Sequence, residues 1–159
     1  MKRSHRLLLI LLLCLGLSVY LILKETKQTN REVVFSYCLD GDSFVAVLNE
    51  EEIEIRMLAI DCPEKEDAYG EAARDFSREL LENASEIELV EEKGAGSKDR
   101  YGRYLFWVFV DGRLLQSELI GNGLAKVDYI YGDYQYLDEL KVKEKEAREN
   151  KLGIWSLEE

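Results

Sequence analysis

The chain has 159 residues, 33% of them charged and 47% hydrophobic, with a net charge of −11. Residues 1–32 hold six Lys/Arg and two Asp/Glu, a local +4, so the remainder carries −15. This leaves room for one domain with a single core, excludes a disulfide framework built on three cysteines, and disfavours long-range attraction of a polyanion.

Met1 to Arg6 is basic, and Leu7 to Leu23 is a run of seventeen residues without a charge. As a helix it measures about 26 Å against about 30 Å of hydrocarbon, the lower end of a membrane span. Residues 1–24 are therefore expected to be a membrane anchor or a signal segment. An uncleaved anchor is the favoured reading, because Leu23-Lys24-Glu25-Thr26-Lys27 offers no small-x-small cleavage site. A lipoprotein site at Cys14 fails because Leu13 stands where a small residue is needed. Lys2, Arg3 and Arg6 would keep the N-terminus in the cytoplasm and put the domain outside, single-pass, or secreted if the segment is cleaved. Residues 25–32 read as a polar linker.

From Val33 the pattern turns strand-like. Val33 to Leu39 is a first strand, Asp40-Gly41-Asp42 a turn, and Ser43 to Leu48 an alternating second strand. After Asn49 to Glu52, Ile53 to Ile60 forms a third, stopped by Pro63. Glu64 to Asn83 has helical spacing through Ala68, Ala72, Ala73, Phe76, Leu80 and Leu81. Ser85 to Glu92 is a fourth strand, 93–99 a glycine-bearing loop, and Tyr104 to Val110 a fifth strand ending at Asp111-Gly112. Leu114 to Ile120 is a short helix stopped by Gly121-Asn122-Gly123, and Tyr134 to Asn150 a charged helix. Three strands, a helix, two strands and trailing helices predict an α+β fold. The expected form is a five-stranded OB-fold barrel over residues 33–157 with about three helices, preceded by an N-terminal transmembrane helix.

The stretch Ile55 to Glu64 builds core and delivers charge to one end of it. Asp42 and Asp61 leave adjacent strand segments and are candidates for a hard divalent cation, which takes oxygen ligands. Arg56 adds a planar fork that suits phosphate. Two turn-forming aspartates and a structural salt bridge for Arg56 are the plainer alternatives. The only histidine, His5, lies in the basic flank. Any general base in the domain is thus a carboxylate, Tyr, Lys or metal-bound hydroxide. Cys38 and Cys62 either pair or are two buried small thiols.

Four motifs occur in order: Asp40-Gly41-Asp42-Ser43; Arg56 through Glu64; Asp99-Arg100-Tyr101-Gly102-Arg103; and Gly123-Leu124-Ala125-Lys126-Val127. Together they make the chain similar to the staphylococcal nuclease (thermonuclease) family, collinearly from about Val33 to Ser156. The resemblance implies a Ca²⁺ held by Asp42, Asp61 and the backbone carbonyl of Cys62, with Asp40 acting through a metal-bound water or fixing the turn. It implies that Glu64 removes a proton from the attacking water or orients it, and that Arg56 and Arg103 bind the scissile phosphate. Asp99, Arg100 and Tyr101 match a segment contacting a terminal phosphate, and Tyr129 and Tyr131 match tyrosines lining the base and phosphate site. The implied activity is a Ca²⁺-dependent phosphodiesterase on DNA and/or RNA with little sequence preference, leaving 3′-phosphate ends. The implied partner is nucleic acid as substrate; the apolar run at residues 7–23 adds a membrane, and the domain is expected to be monomeric.

The chain departs from that family in an acidic loop at residues 65–70, in Cys62 where threonine is usual, in Arg100 where lysine is usual, and in Asp128 beside Tyr129. Two other readings stand beside the enzyme. One is a non-catalytic nucleic-acid or protein-binding module, the other a Ca²⁺-binding structural domain.

Overall fold

The computed structural model describes residues 33–157. Its strands are β1 (Val33–Cys38), β2 (Ser43–Leu48), β3 (Glu51–Met57), β4 (Ile60–Asp61), β5 (Ile87–Val90), β6 (Tyr104–Val110), β7 (Arg113–Leu114) and β8 (Lys126–Val127). The helices are α1 (Gly70–Glu82), α2 (Leu115–Gly121) and α3 (Leu137–Glu149), followed by a 3₁₀ turn at Gly153–Leu157.

The first three strands form an antiparallel meander. Alternation in β2 sends Phe44 and Ala46 into the core, and opposite them Ile53 and Ile55 of β3 point the same way. Asn49 and Glu50 both take positive φ, 52° and 68°, which matches the twist of a tight hairpin. β3 runs parallel to β6, which pairs antiparallel with β5, giving the order β1-β2-β3-β6-β5 with β7 on β6. A parallel step needs a crossover, and α1 supplies it between β3 and β5. The pairing of β1 and β2 slips between Phe35 and Tyr37, a bulge that increases bending. The sheet curls until its edge strands β1 and β5 approach one another. Five principal strands in this order with three helices form the OB-like α+β architecture expected from the pattern, and β4, β7 and β8 are short additions to it.

The core lies inside the curl. Phe44, Ile55, Trp107, Val108, Leu115, Leu119 and Ile120 are closed to solvent, and each large apolar side chain so buried contributes about 1.5–3 kcal/mol. Gln116 is buried with them because its amide donates to Phe106 O at 3.0 Å and accepts from Val108 N at 3.2 Å. Such pairing removes the penalty of a buried polar group.

Two elements differ from the sequence expectation. The first helix begins at Gly70, not Glu64. Residues 64–69 fold into successive turns, Asp67 N donating to Glu64 O and Gly70 N to Asp67 O, and Tyr69 sits at φ 69°, where an α-helix cannot continue. The third strand ends at Met57, because Ala59 takes φ 59° and swings Ile60 and Asp61 out of the main sheet to pair with β8. Cys38 and Cys62 are free thiols, so the disulfide alternative is not realised. Burial pushes both up, Cys38 to about 12. The apolar run 7–23 lies outside the described residues. Among the described residues no helix is long and apolar enough to cross a membrane.

Candidate active site

The turn between β1 and β2 aims an acid into the barrel rim. Asp40 Oδ1 accepts from Asp42 N at 3.1 Å and Ser43 Oγ at 2.6 Å, so Asp40 fixes the turn. Ser77 Oγ of α1 donates to Gly41 O at 2.6 Å. A Cβ on Gly41 would lie 2.7 Å from Cys62 Sγ and 2.8 Å from Ala73 Cβ, so only glycine lets the turn sit this close to the helix and to Cys62. Asp42 O then accepts from Met57 N at 2.9 Å, and the side chain of Asp42 is turned inward, 5% exposed.

Asp42 meets Arg56 there. Arg56 Nη2 lies 3.0 Å from Asp42 Oδ2 and 3.7 Å from Asp61 Oδ1. The guanidinium also donates from Nη1 to Met57 O at 2.7 Å and from Nη2 to Ile60 O at 2.9 Å, carbonyls exposed by the chain reversal at Leu58-Ala59. Its carbon stands 5.5 Å from the centre of the Tyr129 ring. Cys62 N donates to Asp42 Oδ2 at 2.8 Å, so the backbone at Cys62 also abuts the acid. Burial, helped by neighbouring Asp40 and opposed by Arg56, pushes the Asp42 carboxyl up to about 7.

Asp42 is buried and Asp61 half-buried, and each acid has a cation beside it, Arg56 for Asp42 and Lys126 for Asp61. Among the described residues no three His, Cys, Asp or Glu side chains form a metal cage. The carboxylates of Asp42 and Asp61 are nevertheless hard oxygen donors. Such donors fit Ca²⁺ or Mg²⁺, which complete their shell with water and substrate oxygen. A cation beside Asp42 would offset the burial that raises its carboxyl.

Arg103 belongs to a second cluster. Its Nε lies 2.7 Å from Asp99 Oδ2 and 4.0 Å from Glu54 Oε1. Asp99 Oδ1 accepts from the amides of Tyr101 and Arg103 at 2.9 and 3.0 Å, closing the loop into which Gly102 turns at φ 90°. Tyr101 is exposed between two guanidinium groups, with Arg100 at 4.7 Å and Arg103 at 5.5 Å from its ring centre. Although partial burial works against it, the bond to Asp99 holds Arg103 above its ordinary range.

Glu64 follows Asp61-Cys62-Pro63 out of the rim into solvent, and its carboxylate has no hydrogen-bond or ion-pair partner among the described residues. Its position is set through its backbone, since a Cβ on Gly70 would fall 1.8 Å from Glu64 O. Tyr131 is 82% exposed.

Lys126 was not among the residues expected here. Strand pairing sets it opposite Asp61, with Nζ 3.2 Å from Asp61 Oδ2 and 3.3 Å from Asp128 Oδ2. Glu144 of α3 holds the same strand by accepting from Val127 N at 2.8 Å. Glu54 beside Arg103 and Ser77 under Gly41 were likewise missed. Only the motif Gly123 to Val127 pointed near Lys126, and nothing local in the sequence marked the others.

Comparison with known proteins shows which family the chain resembles. The family described as "Staphylococcal nuclease homologue" matches residues 54–157, which include Arg56, Asp61, Cys62, Glu64, Asp99 to Arg103, Tyr129 and Tyr131. The chain belongs to the staphylococcal nuclease family. Endonuclease YncB of Bacillus subtilis (strain 168) is 36% identical over 131 residues, 78% of this chain and 61% of that protein. SPbeta prophage-derived endonuclease YokF of the same strain is 37% identical over 132 residues, 79% of this chain and 44% of the relative. The thermonuclease of Staphylococcus hyicus is 30% identical over 124 residues, 74% of this chain and 72% of its own length. The chain thus spans 61% and 44% of the two Bacillus relatives it matches. The nuclease-family match begins after Asp40 and Asp42, whose placement beside Arg56 rests on the geometry above.

Proposed function

We propose that this chain is a divalent-cation-dependent phosphodiesterase that cleaves DNA and/or RNA with little sequence preference, with Ca²⁺ as its cation. The observation that carries this reading is the convergence of Asp42 and Asp61 on one buried guanidinium, Arg56. The endonuclease and thermonuclease names of its relatives agree with it.

Asp42, Asp61 and the carbonyl of Cys62 would hold the cation, which when bound polarises a phosphoryl oxygen and lowers the pKa of water. Glu64, its carboxylate unpaired, removes a proton from the attacking water or orients it. Water adds to phosphorus in line with the 5′ oxygen, the P–O5′ bond breaks, the leaving oxygen takes a proton, and the phosphate stays on the 3′ side. Arg56 donates to the phosphoryl oxygens as negative charge grows on them. Arg103 exchanges its contact with Asp99 for the same group. Tyr129, Tyr131 and the Asp99 to Tyr101 loop hold the nucleotide without reading its base. The same reading extends to an enzyme facing outward from the cytoplasmic membrane, anchored by residues 7–23.

The experiment is incubation of the full chain with DNA and RNA oligonucleotides in millimolar Ca²⁺ or in chelator, followed by end-group analysis. Ca²⁺-dependent fragments ending in 3′-phosphate are expected. Intact oligonucleotides in Ca²⁺ would overturn the reading.

A further inference from the structure

Asp128 puts a negative charge next to a tyrosine that faces the candidate active site, and in a domain already acidic its obvious effect is to repel a polyanion. Its contacts point elsewhere. The backbone N of Asp128 donates to Ala59 O at 3.1 Å, tying it to the reversal that exposes the carbonyls bound by Arg56. Oδ2 lies 3.3 Å from Lys126 Nζ, the same ammonium that lies 3.2 Å from Asp61. Oδ1 accepts from Tyr129 N at 2.7 Å. Both carboxylate oxygens therefore have partners inside the protein.

The contact with the Tyr129 amide matters because of what Tyr129 must do with its backbone. It sits at φ 55°, a left-handed conformation that aromatic residues rarely adopt. A short aspartate side chain bonded to the local backbone stabilises such a turn. In this conformation the Tyr129 ring, 49% exposed, lies 5.5 Å from the Arg56 guanidinium carbon. One face of the site thus has an aromatic surface beside the cationic group that would bind phosphate. The amide of Tyr129 and, after it, Lys126 hold the Asp128 carboxyl below the ordinary carboxylate range, so it is ionised when it makes these contacts.

We propose that Asp128 is a positioning residue: it holds Tyr129 in its left-handed turn over Arg56, and its charge is neutralised by Lys126 rather than presented to the substrate. This rests on the nuclease reading for its catalytic consequence, though not for the conformational one. Asparagine at 128 keeps an acceptor for the Tyr129 amide and loses the charge, whereas alanine loses both.

The test uses the full chain as parent, Asp128→Asn, Asp128→Ala, Tyr129→Ala and the Asp128→Ala/Tyr129→Ala double variant. Steady-state kinetics on a single-stranded DNA oligonucleotide with Ca²⁺ is combined with the amide spectrum of ¹⁵N-labelled protein. Asp128→Ala is expected to raise KM about tenfold, the scale of one lost aromatic base contact, with kcat within about twofold. Asp128→Asn should restore KM to within about twofold of the parent, and Asp128→Ala should add nothing once Tyr129 is alanine. The Tyr129 amide proton should be displaced downfield in the parent and Asp128→Asn, and move upfield in Asp128→Ala. A lower KM in both Asp128 variants would mean that the charge repels substrate and would overturn the proposal. An unchanged Tyr129 amide in Asp128→Ala would overturn it even if the parent shows no turnover, an outcome that by itself counts against the nuclease reading alone.

Discussion

Arg56 Nη2 lies 3.0 Å from Asp42 Oδ2 in a pair almost closed to solvent. At a pH above the raised value of Asp42, removing Arg56 leaves that carboxylate buried, charged and unpaired, which costs up to about 3–5 kcal/mol, and less where the acid takes up a proton. Arg56→Ala should therefore lower the urea unfolding free energy of the cation-free protein by up to that amount. Adding Asp42→Asn to it should recover part of the loss. Equal stability of the parent and Arg56→Ala would show that the pair is not formed in solution.

Asp42, raised by burial, gains most from a cation at the rim. At about ten times the dissociation constant a bound cation stabilises the fold by about 1.4 kcal/mol. Thermal melting of the parent should accordingly move up by a few degrees in saturating Ca²⁺ and return with chelator, whereas Asp42→Asn should show no shift. A shift of the same size in the variant would move the cation site elsewhere.

Gly70 lets Glu64 reach its place. Because a Cβ there would meet Glu64 O at 1.8 Å, Gly70→Ala must separate the turn from the helix start. Overpacking of this kind costs about 1–3 kcal/mol. We expect a lower melting temperature together with a fall in kcat, since the carboxylate proposed to handle the water moves with its backbone. A variant that melts lower with unchanged kcat would separate Glu64 from catalysis.

Asp99 has a clear acid signature. Partial burial pushes its carboxyl up, but the side chain of Arg103 and the amides of Arg103 and Tyr101 outweigh it and hold the group below its ordinary 3.8. A folded-state value below the unfolded one contributes stability that is present above about pH 4 and lost as pH falls through the folded value. Asp99→Asn should be less stable than the parent near neutrality and the two should converge in acid. Urea titrations from pH 6 to pH 2 would reveal this, and a constant gap between the two proteins would contradict it.

Much of the barrel was readable because its signals are local. The alternation of Ser43 to Leu48, the apolar run of Tyr104 to Val110, and the turn at Asp111-Gly112 each lie within a few residues, and strands formed there. The strand ends point to Asp42 and Asp61 at one rim, whereas the ion pair of Arg56 with Asp42 is the plainer salt-bridge alternative for that arginine, with no acid singled out by the sequence. The start of α1 was misjudged because Ala68 fits a helical spacing, while the feature that forbids it, the close approach of Gly70 to Glu64 O, is a contact invisible in the pattern. The break of the third strand had no sequence mark either, since Ala59 in a left-handed conformation looks like any strand alanine. Lys126 was missed because its place opposite Asp61 follows from pairing between segments 65 residues apart. The charge of Asp128, which looked like a simple obstacle to substrate, acquires a different meaning once Lys126 is seen beside it.

The most direct measurement is the rate of oligonucleotide cleavage by the full chain at saturating Ca²⁺, compared with Glu64→Gln and Arg56→Ala under conditions where circular dichroism shows each protein folded. The account predicts measurable turnover by the parent and a fall of about a hundredfold or more in each variant, the usual scale for a lost general base or a lost donor to developing charge. Equal rates in parent and variants would contradict it.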